Sequence, residues 1–442
     1  MARAAAATVI VWTVGALFAE VVSQVATGMA ILLSLVSCRS GPPFSAALRR
    51  VVLFSLLLTV WQAASPFVAE ALEIHPVFPP ARRYGQLSDT GALAVLACVV
   101  QICVPWRAVA AVAAAGWLGH SLAAALQHFG LWPEWLLSLT SIKADPARLR
   151  ENFAAPGESV RHAGLGLYYH RLKLAHHALA FFGVPLQLAT SPGPRRARAA
   201  GIVFIVLFAV TVASTYARAA LLGLVFMAAF ALLQAFGKKA LPILAAVVLA
   251  ASCVIAVSPA WQQRFSGLSR TGIGRDRQFA WMAALTLAQE HPVVGVGFGN
   301  FQQAVLRRIE PPREGAPEDG IPFNRALAER AHYLNKRLIT LDGHNLPLTV
   351  FAETGLIGLI LFALTHFSLL AALWERRRSG SPAAAAALLA WLGFHVAGIV
   401  HYLPYHTGVH LAFCLIWALG LSPSRPSFQR ESAALGASGQ SN

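Results

Sequence analysis

Charged residues are scarce in this chain of 442 residues, and acidic ones are the scarcest: 19 are Asp or Glu, against 35 Lys or Arg. Only 12% of the residues are charged, 57% are hydrophobic, and the mean hydropathy is +0.59. This composition excludes a water-soluble protein. Apolar runs of about 17–25 residues recur along the chain, the length that a helix needs to cross the roughly 30 Å hydrocarbon core of a bilayer. The sequence therefore predicts an all-α polytopic membrane protein.

Cysteines are few, and the common metal and nucleotide motifs are absent. The five cysteines all lie within or at the ends of apolar runs, which predicts neither a disulfide nor thiol chemistry. The sequence has no HExxH, no paired CxxC and no GxxxxGK[ST]. Residues 162–177 are rich in histidine but lack a matching carboxylate cluster. Residues 295–300 (GVGFGN) lack a preceding strand, so a tight turn is the better interpretation. We therefore expect no metal and no cofactor.

The apolar segments predict about twelve transmembrane helices. They lie at residues 5–19, 22–38, 48–66, 90–105, 107–128, 168–190, 199–214, 218–236, 240–258, 345–373, 383–400 and 406–421. With both termini in the cytoplasm, every short inner loop is basic, which is the positive-inside pattern. The net charge of +16 is then explained by cytoplasmic anchoring and by anionic ligands, rather than by nucleic acid.

A long polar stretch between the ninth and tenth segments divides the chain. We expect helices 1–9 in residues 1–258, an outer loop in residues 259–344, helices 10–12 in residues 345–421 and a disordered cytoplasmic tail in residues 422–442. Within the loop, the apolar spacing predicts two amphipathic helices, at residues 277–290 and 323–338. Such helices beside a membrane are suited to form a lid.

Basic side chains that are candidates for chemistry cluster on the outer face in this topology. They are Arg161 before the sixth span, Arg218 between the seventh and eighth, Arg275 and Arg277 at the first loop helix, and His344 at the tenth span. Arg218 lies in a very short turn between apolar helices, where an ionisable residue is costly and usually functional. The alternative is that it snorkels to the membrane surface. Several guanidiniums together are suited to a bidentate grip on phosphate oxygens.

His344 has two interpretations. A lone histidine at this place is more often a helix cap, although Asn345 or Asp342 can perform that task as well. Beside the arginines, a neutral imidazole is the usual general base near neutral pH. A base and a phosphate clamp, without a nucleotide or metal site, fit the attack of a hydroxyl on a sugar carried by a lipid pyrophosphate.

At these residues the sequence resembles the O-antigen ligase and O-antigen polymerase superfamily. The matching motifs are STYARAALL at residues 214–222, RxxxW followed by HPxxGxGxGNF at residues 277–301, and HNxxLxxxxExGxxG at residues 344–358. Ala217 stands where the family usually has a serine before the arginine.

The resemblance implies a GT-C-type membrane glycosyltransferase fold with its active site at the periplasmic face of the inner membrane. It implies a metal-independent, inverting transfer of a glycan from undecaprenyl pyrophosphate. By the same resemblance, Arg218 and Arg277 would hold the pyrophosphate and His344 would activate or orient the acceptor hydroxyl. Further candidates for binding the pyrophosphate or glycan are Arg161, Arg275 and Asn345.

Three acceptors are compatible with this superfamily. They are the lipid A–core oligosaccharide (a ligase), another glycan repeat (a polymerase) and a protein serine (an O-oligosaccharyltransferase). One dominant outer loop between the ninth and tenth spans favours the ligase. An interpretation of a different class is a transporter or flippase with broken helices. Against it, the candidate residues lie at one face and no internal repeat is visible.

Overall fold

A computed structural model describes residues 1–18, 26, 29–33, 44–74, 83–131, 163–168, 170–259, 261–262, 272–309, 343–405 and 408–423. In these residues the regular structure is helical. The α-helices are α1 (Ala2–Phe18), α2 (Ala46–Ala71), α3 (Arg83–Val99), α4 (Trp106–His128), α5 (Arg171–Thr190), α6 (Arg195–Ser214), α7 (Arg218–Phe236), α8 (Leu241–Val257), α9 (Gly272–Glu290), α10 (Phe301–Ile309), α11 (Leu346–Arg378), α12 (Pro382–Gly398) and α13 (Val409–Leu421).

Several of these helices are suited to a bilayer. By length and composition, the stretches able to cross a membrane are Ala46–Ala71, Trp106–His128, Arg195–Ser214, Arg218–Leu249 and Leu346–Arg378, and shorter apolar helices occupy Ala2–Leu17, Pro382–Gly398 and Val409–Leu421. An all-α membrane protein is thereby confirmed. Twelve spans and the GT-C fold remain predictions. The predicted helix at residues 323–338 and Arg161 lie outside the described residues, and so do most of the second predicted span and most of the predicted tail.

Helix α13 forms the centre of the bundle. Every residue from Val409 to Leu421 is buried, and the helix packs against α12, α3, α5, α1 and α11. Its sequence, VHLAFCLIWALGL, is apolar around its whole circumference, which is typical of a helix enclosed by others. By contrast, α6 exposes a stripe of Ile202, Val203, Val206 and Val210, each more than half exposed. That stripe is suited to face lipid.

The loop at residues 291–300 is inserted into a break in α11. The helix leaves helical geometry at Gly355, with φ 64° and ψ −168°. The Val296 amide donates to the Ala352 carbonyl (3.0 Å), and the Leu356 amide donates to the Pro292 carbonyl (2.8 Å). The loop thus pairs backbone groups that the break would otherwise leave unsatisfied, which an apolar environment requires.

Glycines permit this close approach. Gly295, Gly297 and Gly299 all have positive φ, at 74°, 89° and 76°, which confirms the predicted tight turn. A Cβ atom on Gly295 would lie 2.5 Å from the carbonyl carbon of Glu353, and one on Gly355 would lie 2.1 Å from the Val293 oxygen. The glycine motif therefore joins two backbones rather than enclosing a phosphate.

Within the described residues, the outer loop also contains two helices. The predicted helix at 277–290 is confirmed as α9, which begins earlier, at Gly272, and ends at Glu290. Burial lowers the pKa of His291, the residue that follows it. Helix α10 was not predicted from the sequence. Its first residue is Phe301, whose amide donates to the Glu353 carboxylate at 3.4 Å.

Candidate active site

The beginning of α9 and the beginning of α11 lie side by side. One turn after Arg277, the Trp281 Nε1–H donates to the His344 carbonyl at 3.3 Å. Further along α9, small and apolar side chains pack against Ala352 of α11: Ala283, Ala284 and Leu287. These contacts bring Arg277 and His344, which are far apart in the sequence, to one place.

Asn345, rather than His344, caps α11. The Asn345 Oδ1 accepts from the Leu348 amide at 3.0 Å, and its Nδ2 donates to the Ile399 carbonyl after α12 at 2.9 Å. Both ends of the amide therefore have structural partners. His344 itself has φ 47°, an uncommon conformation for a residue other than glycine. The capping interpretation of His344 is therefore wrong, and its imidazole is left to make other contacts.

His401, in the turn after α12, joins the two predicted residues. Its Nε2 lies 3.4 Å from Nη2 of Arg277, and its ring centroid lies 6.0 Å from that of His344, at an interplanar angle of 87°. A guanidinium can only donate, so the His401 Nε2 must be the acceptor and its Nδ1 must carry the proton. His401 thus fixes one face of the Arg277 side chain.

A second histidine extends the cluster into the bundle. The ring of His176 on α5 lies 5.0 Å from that of His401. His176 is fully buried and His401 is 9% exposed, whereas Arg277 and His344 are only partly buried. The cluster therefore consists of two buried histidines, His176 and His401, next to the partly accessible Arg277 and His344.

Two histidines of this site, His401 and His176, are not among the site residues predicted from the sequence. His176 belongs to the histidine-rich segment that was considered only for metal binding. Within the described residues, no group of three or more His, Cys, Asp or Glu side chains is arranged to hold a metal ion. The sequence feature that could have indicated His401 is its position in HYLPYH, directly after an apolar helix. A partner could not be assigned to it from the sequence.

The turn before Arg218 has its own set of contacts. It is the first residue of α7 and is partly buried. Before it, the Ala217 amide donates to the Thr215 Oγ1 at 3.2 Å, so that Thr215 supplies a hydrogen bond within the turn. Tyr216 has φ 54° and packs with Ala163 and Trp261. A rigid turn therefore presents Arg218 at a helix N-terminus.

The remaining predicted residues are less informative. Arg275 lies in the first turn of α9, and Arg161 lies outside the described residues. No observation tests a binding role for either, or for Asn345. Those roles, like the catalytic roles of Arg218, Arg277 and His344, remain predictions.

Helix α5 adds positive charge next to the histidines. Arg171 and Lys173 lie in its first turn, and Lys173 is only 4% exposed. Lys173 is one turn from His176, so the two lie on the same face of the helix. Cations near a helix N-terminus oppose the helix dipole. An anion bound beside this turn would offset that unfavourable arrangement.

Comparison with known proteins agrees with the motifs. Residues 203–363 match the family model described as O-antigen ligase. No match was found among curated proteins. The matched segment contains the turn before Arg218, helix α9, the loop at residues 291–300 (the glycine loop) and the beginning of α11 with His344. His176 and His401 lie outside it. Over this segment, the chain is similar to the O-antigen ligase family.

Proposed function

We propose that this protein is an O-antigen ligase of the bacterial inner membrane. It transfers an O-antigen glycan from undecaprenyl pyrophosphate to a sugar hydroxyl of the lipid A–core oligosaccharide at the periplasmic face. The family match and the membrane-suited helices support this proposal. The observation that carries it is the meeting of Arg277, His401 and His344 at the beginning of α11.

These side chains have different roles in the proposed reaction. The acceptor oxygen attacks the anomeric carbon, its proton passes to the His344 imidazole, and the bond from that carbon to the pyrophosphate oxygen breaks, which inverts the configuration. Arg277 and Arg218 donate to the pyrophosphate and stabilise the charge that develops as it leaves. Fixed donors of this kind do the work that a metal ion performs in other phosphate chemistry, so the proposed transfer needs no metal.

His401 positions Arg277 in this scheme. Because the neutral imidazole accepts a hydrogen bond from the guanidinium, it orients Arg277 without neutralising its charge, as a carboxylate would. The positive first turn of α5, with Lys173, adds to the potential that attracts a pyrophosphate.

The outer loop, residues 259–344, acts as the lid of this site. Helix α9 brings Arg277 to the donor. The glycine loop, which follows the C-terminal end of α9, forms backbone hydrogen bonds with α11. The break in α11 is of the kind that transporters use for substrate binding. Here it is filled by the backbone of residues 291–300, which leaves that break no room for a transported substrate and weighs against the transporter interpretation.

Deletion of the gene that encodes this protein tests the proposal most directly. In a smooth strain, loss of a ligase should leave core-only lipopolysaccharide while undecaprenyl-linked polymer accumulates. Lipopolysaccharide capped by a single repeat would instead identify a polymerase. Unchanged lipopolysaccharide with unglycosylated periplasmic proteins would identify a protein O-oligosaccharyltransferase.

A second experiment separates enzyme from transporter. Purified protein should transfer the glycan from the lipid-linked donor to lipid A–core in detergent, with the same rate before and after treatment with a chelator. No transfer in detergent, with translocation of the donor in vesicles, would overturn the assignment as a transferase.

A further inference from the structure

A small cavity lies inside the helix bundle between α2, α11 and α13. Its volume is about 30 Å³. Its lining includes Leu346 and Tyr402, which directly follow Asn345 and His401 in the sequence, and it extends to His366 on α11 and Trp417 on α13. Helices α2 and α11 are both among the stretches suited to cross the membrane. The cavity therefore lies in the apolar part of the molecule, next to the candidate active site.

Several polar side chains in this lining are almost completely buried, among them Ser55, Gln62 and His410. Ser55 is 1% exposed, Gln62 is 4% exposed and His410 is 8% exposed. Ser55 and Gln62 are seven residues apart on α2, a spacing that puts them on one face of the helix. In the described part of the chain, the Ser55 Oγ, the Gln62 Oε1 and the His410 Nδ1 have no hydrogen-bond partner.

Such an arrangement is unfavourable if the cavity is dry. A buried polar atom without a partner loses its hydration and gains nothing in return, and a surrounding membrane offers no alternative donor. Cavities that stay empty in proteins are lined by apolar groups, whereas a polar cavity holds water where about 10–15 Å³ is available for each molecule. The cavity meets both conditions, because it has polar partners and space for about two water molecules.

We propose that this cavity is an internal water site. A water molecule donates to the Gln62 Oε1, and the site's water hydrogen-bonds the Ser55 Oγ and the His410 Nδ1. The ligand is water rather than a lipid chain, because a lipid chain would leave all three polar atoms unsatisfied. The proposed transfer chemistry does not use the site, which instead links α2 and α13 through a polar contact beneath the active site.

Radiolytic footprinting of the full-length protein in lipid nanodiscs tests the proposal. X-rays convert internal water to hydroxyl radicals, which oxidise the side chains next to it. Trp417 lines the cavity. Trp12 and Trp117 are buried to a similar degree, at 0% and 2% exposed, and are absent from its lining, so they serve as matched controls. We expect Trp417 to be oxidised severalfold faster than either control. Equal rates at the three tryptophans would show a dry cavity and overturn the proposal.

Variants then test which atoms hold the water. Gln62→Leu keeps the size of the side chain but removes the acceptor, and it should lower the oxidation of Trp417 to the rate of Trp117. Thr59→Val on the same helix, outside the lining, should leave Trp417 unchanged. Should Gln62→Leu fail to fold, Ser55→Ala provides the same test with a smaller change. Oxidation of Trp417 that persists at the native rate in a folded Gln62 or Ser55 variant would contradict the assignment of these atoms.

Discussion

At the scale of single residues, two neighbours at the beginning of α11 have different tasks. Asn345 caps the helix and ties it to the end of α12. His344 is held at φ 47° beside it, a conformation that costs about 1–3 kcal/mol and persists where the surroundings enforce it. The cap therefore determines where the His344 imidazole lies, and each end of the Asn345 amide has a structural partner.

Replacing the proposed base should separate function from folding. His344→Ala should reduce glycan transfer by about 10²–10⁴-fold, because the acceptor hydroxyl loses its proton acceptor. Purified protein and a defined donor measure the rate, and thermal unfolding in detergent measures the stability, which should change little. His128→Ala, a histidine in the last turn of α4, is the control. Near-native transfer by the folded His344 variant would exclude the base.

His401 should show a positioning effect that a hydrogen-bond acceptor can rescue. His401→Ala removes the acceptor for Arg277, and a hydrogen bond to a charged group contributes about 1.5–3 kcal/mol, so transfer should fall by roughly 10- to 100-fold. His401→Gln offers an amide oxygen in its place and should recover most of this loss. We compare the two variants with the native protein by measuring kcat and the KM for the lipid-linked donor. Equal activities of the two variants would show that the hydrogen bond to Arg277 is unimportant.

At the scale of helices, the break in α11 makes the membrane part and the outer loop a single packed unit. Trp61 on α2 donates to the Thr354 carbonyl at 2.8 Å, and the Phe298 amide donates to the Ser65 Oγ at 3.1 Å. Helices α2 and α11 and the glycine loop thus support each other around Gly355. The position of α9, and so of Arg277, depends on this unit.

Gly355→Ala should therefore destabilise the protein more than the substitution of a left-handed glycine that has open space around it. A Cβ atom there would lie 2.1 Å from the Val293 oxygen at a positive φ of 64°, so that a clash adds to the strain. Gly380→Ala is the matched control, because Gly380 has φ 87° and nothing within 4 Å of an added Cβ. The control should lose only the roughly 1–2 kcal/mol of left-handed strain. Thermal unfolding of both proteins measures the difference, and similar losses would contradict the clash.

The sequence could predict local features of this unit but not its partners. Helix α9 was predictable because its apolar spacing and the following His-Pro mark a helix and its end. Helix α10 was not, because its first amide is paired with Glu353, which is 52 residues away. His401 was missed for the same reason, since 124 residues separate it from Arg277. The motif residues Arg277 and Trp281 could be located from the sequence, but the contact of Trp281 with His344 depends on tertiary packing.

At the scale of the whole molecule, the basic side chains that we propose to bind the donor come from separate elements. Arg277, Arg218 and the first turn of α5 come from three parts of the chain, and within the described residues no group of three or more His, Cys, Asp or Glu side chains is arranged to hold a metal ion. Because the net charge is +16, the molecule as a whole favours anionic lipids and anionic substrates.

Lys173→Met should weaken binding of a pyrophosphate without weakening the fold. The substitution keeps the length of the buried side chain and removes a charge that opposes the dipole of α5, so the unfolding temperature should stay the same or rise. The dissociation constant for undecaprenyl pyrophosphate should increase by roughly 5- to 10-fold, because one nearby charge contributes about 1 kcal/mol. Lys239→Met, an exposed lysine before α8, is the control. Unchanged binding in the Lys173 variant would exclude this lysine from the donor site.

The glycine loop inserted in α11 also constrains how such proteins can be recombined. Residues 291–300 and the carbonyl and amide groups around Gly355 form one interface, although some fifty residues of chain separate them. A chimaera that exchanges the outer loop between relatives, but retains the host's α11, would pair two surfaces that were never selected together. Grafts that transfer acceptor specificity should therefore include both segments, and the natural crossover point lies after Gly358, not at the edge of the membrane.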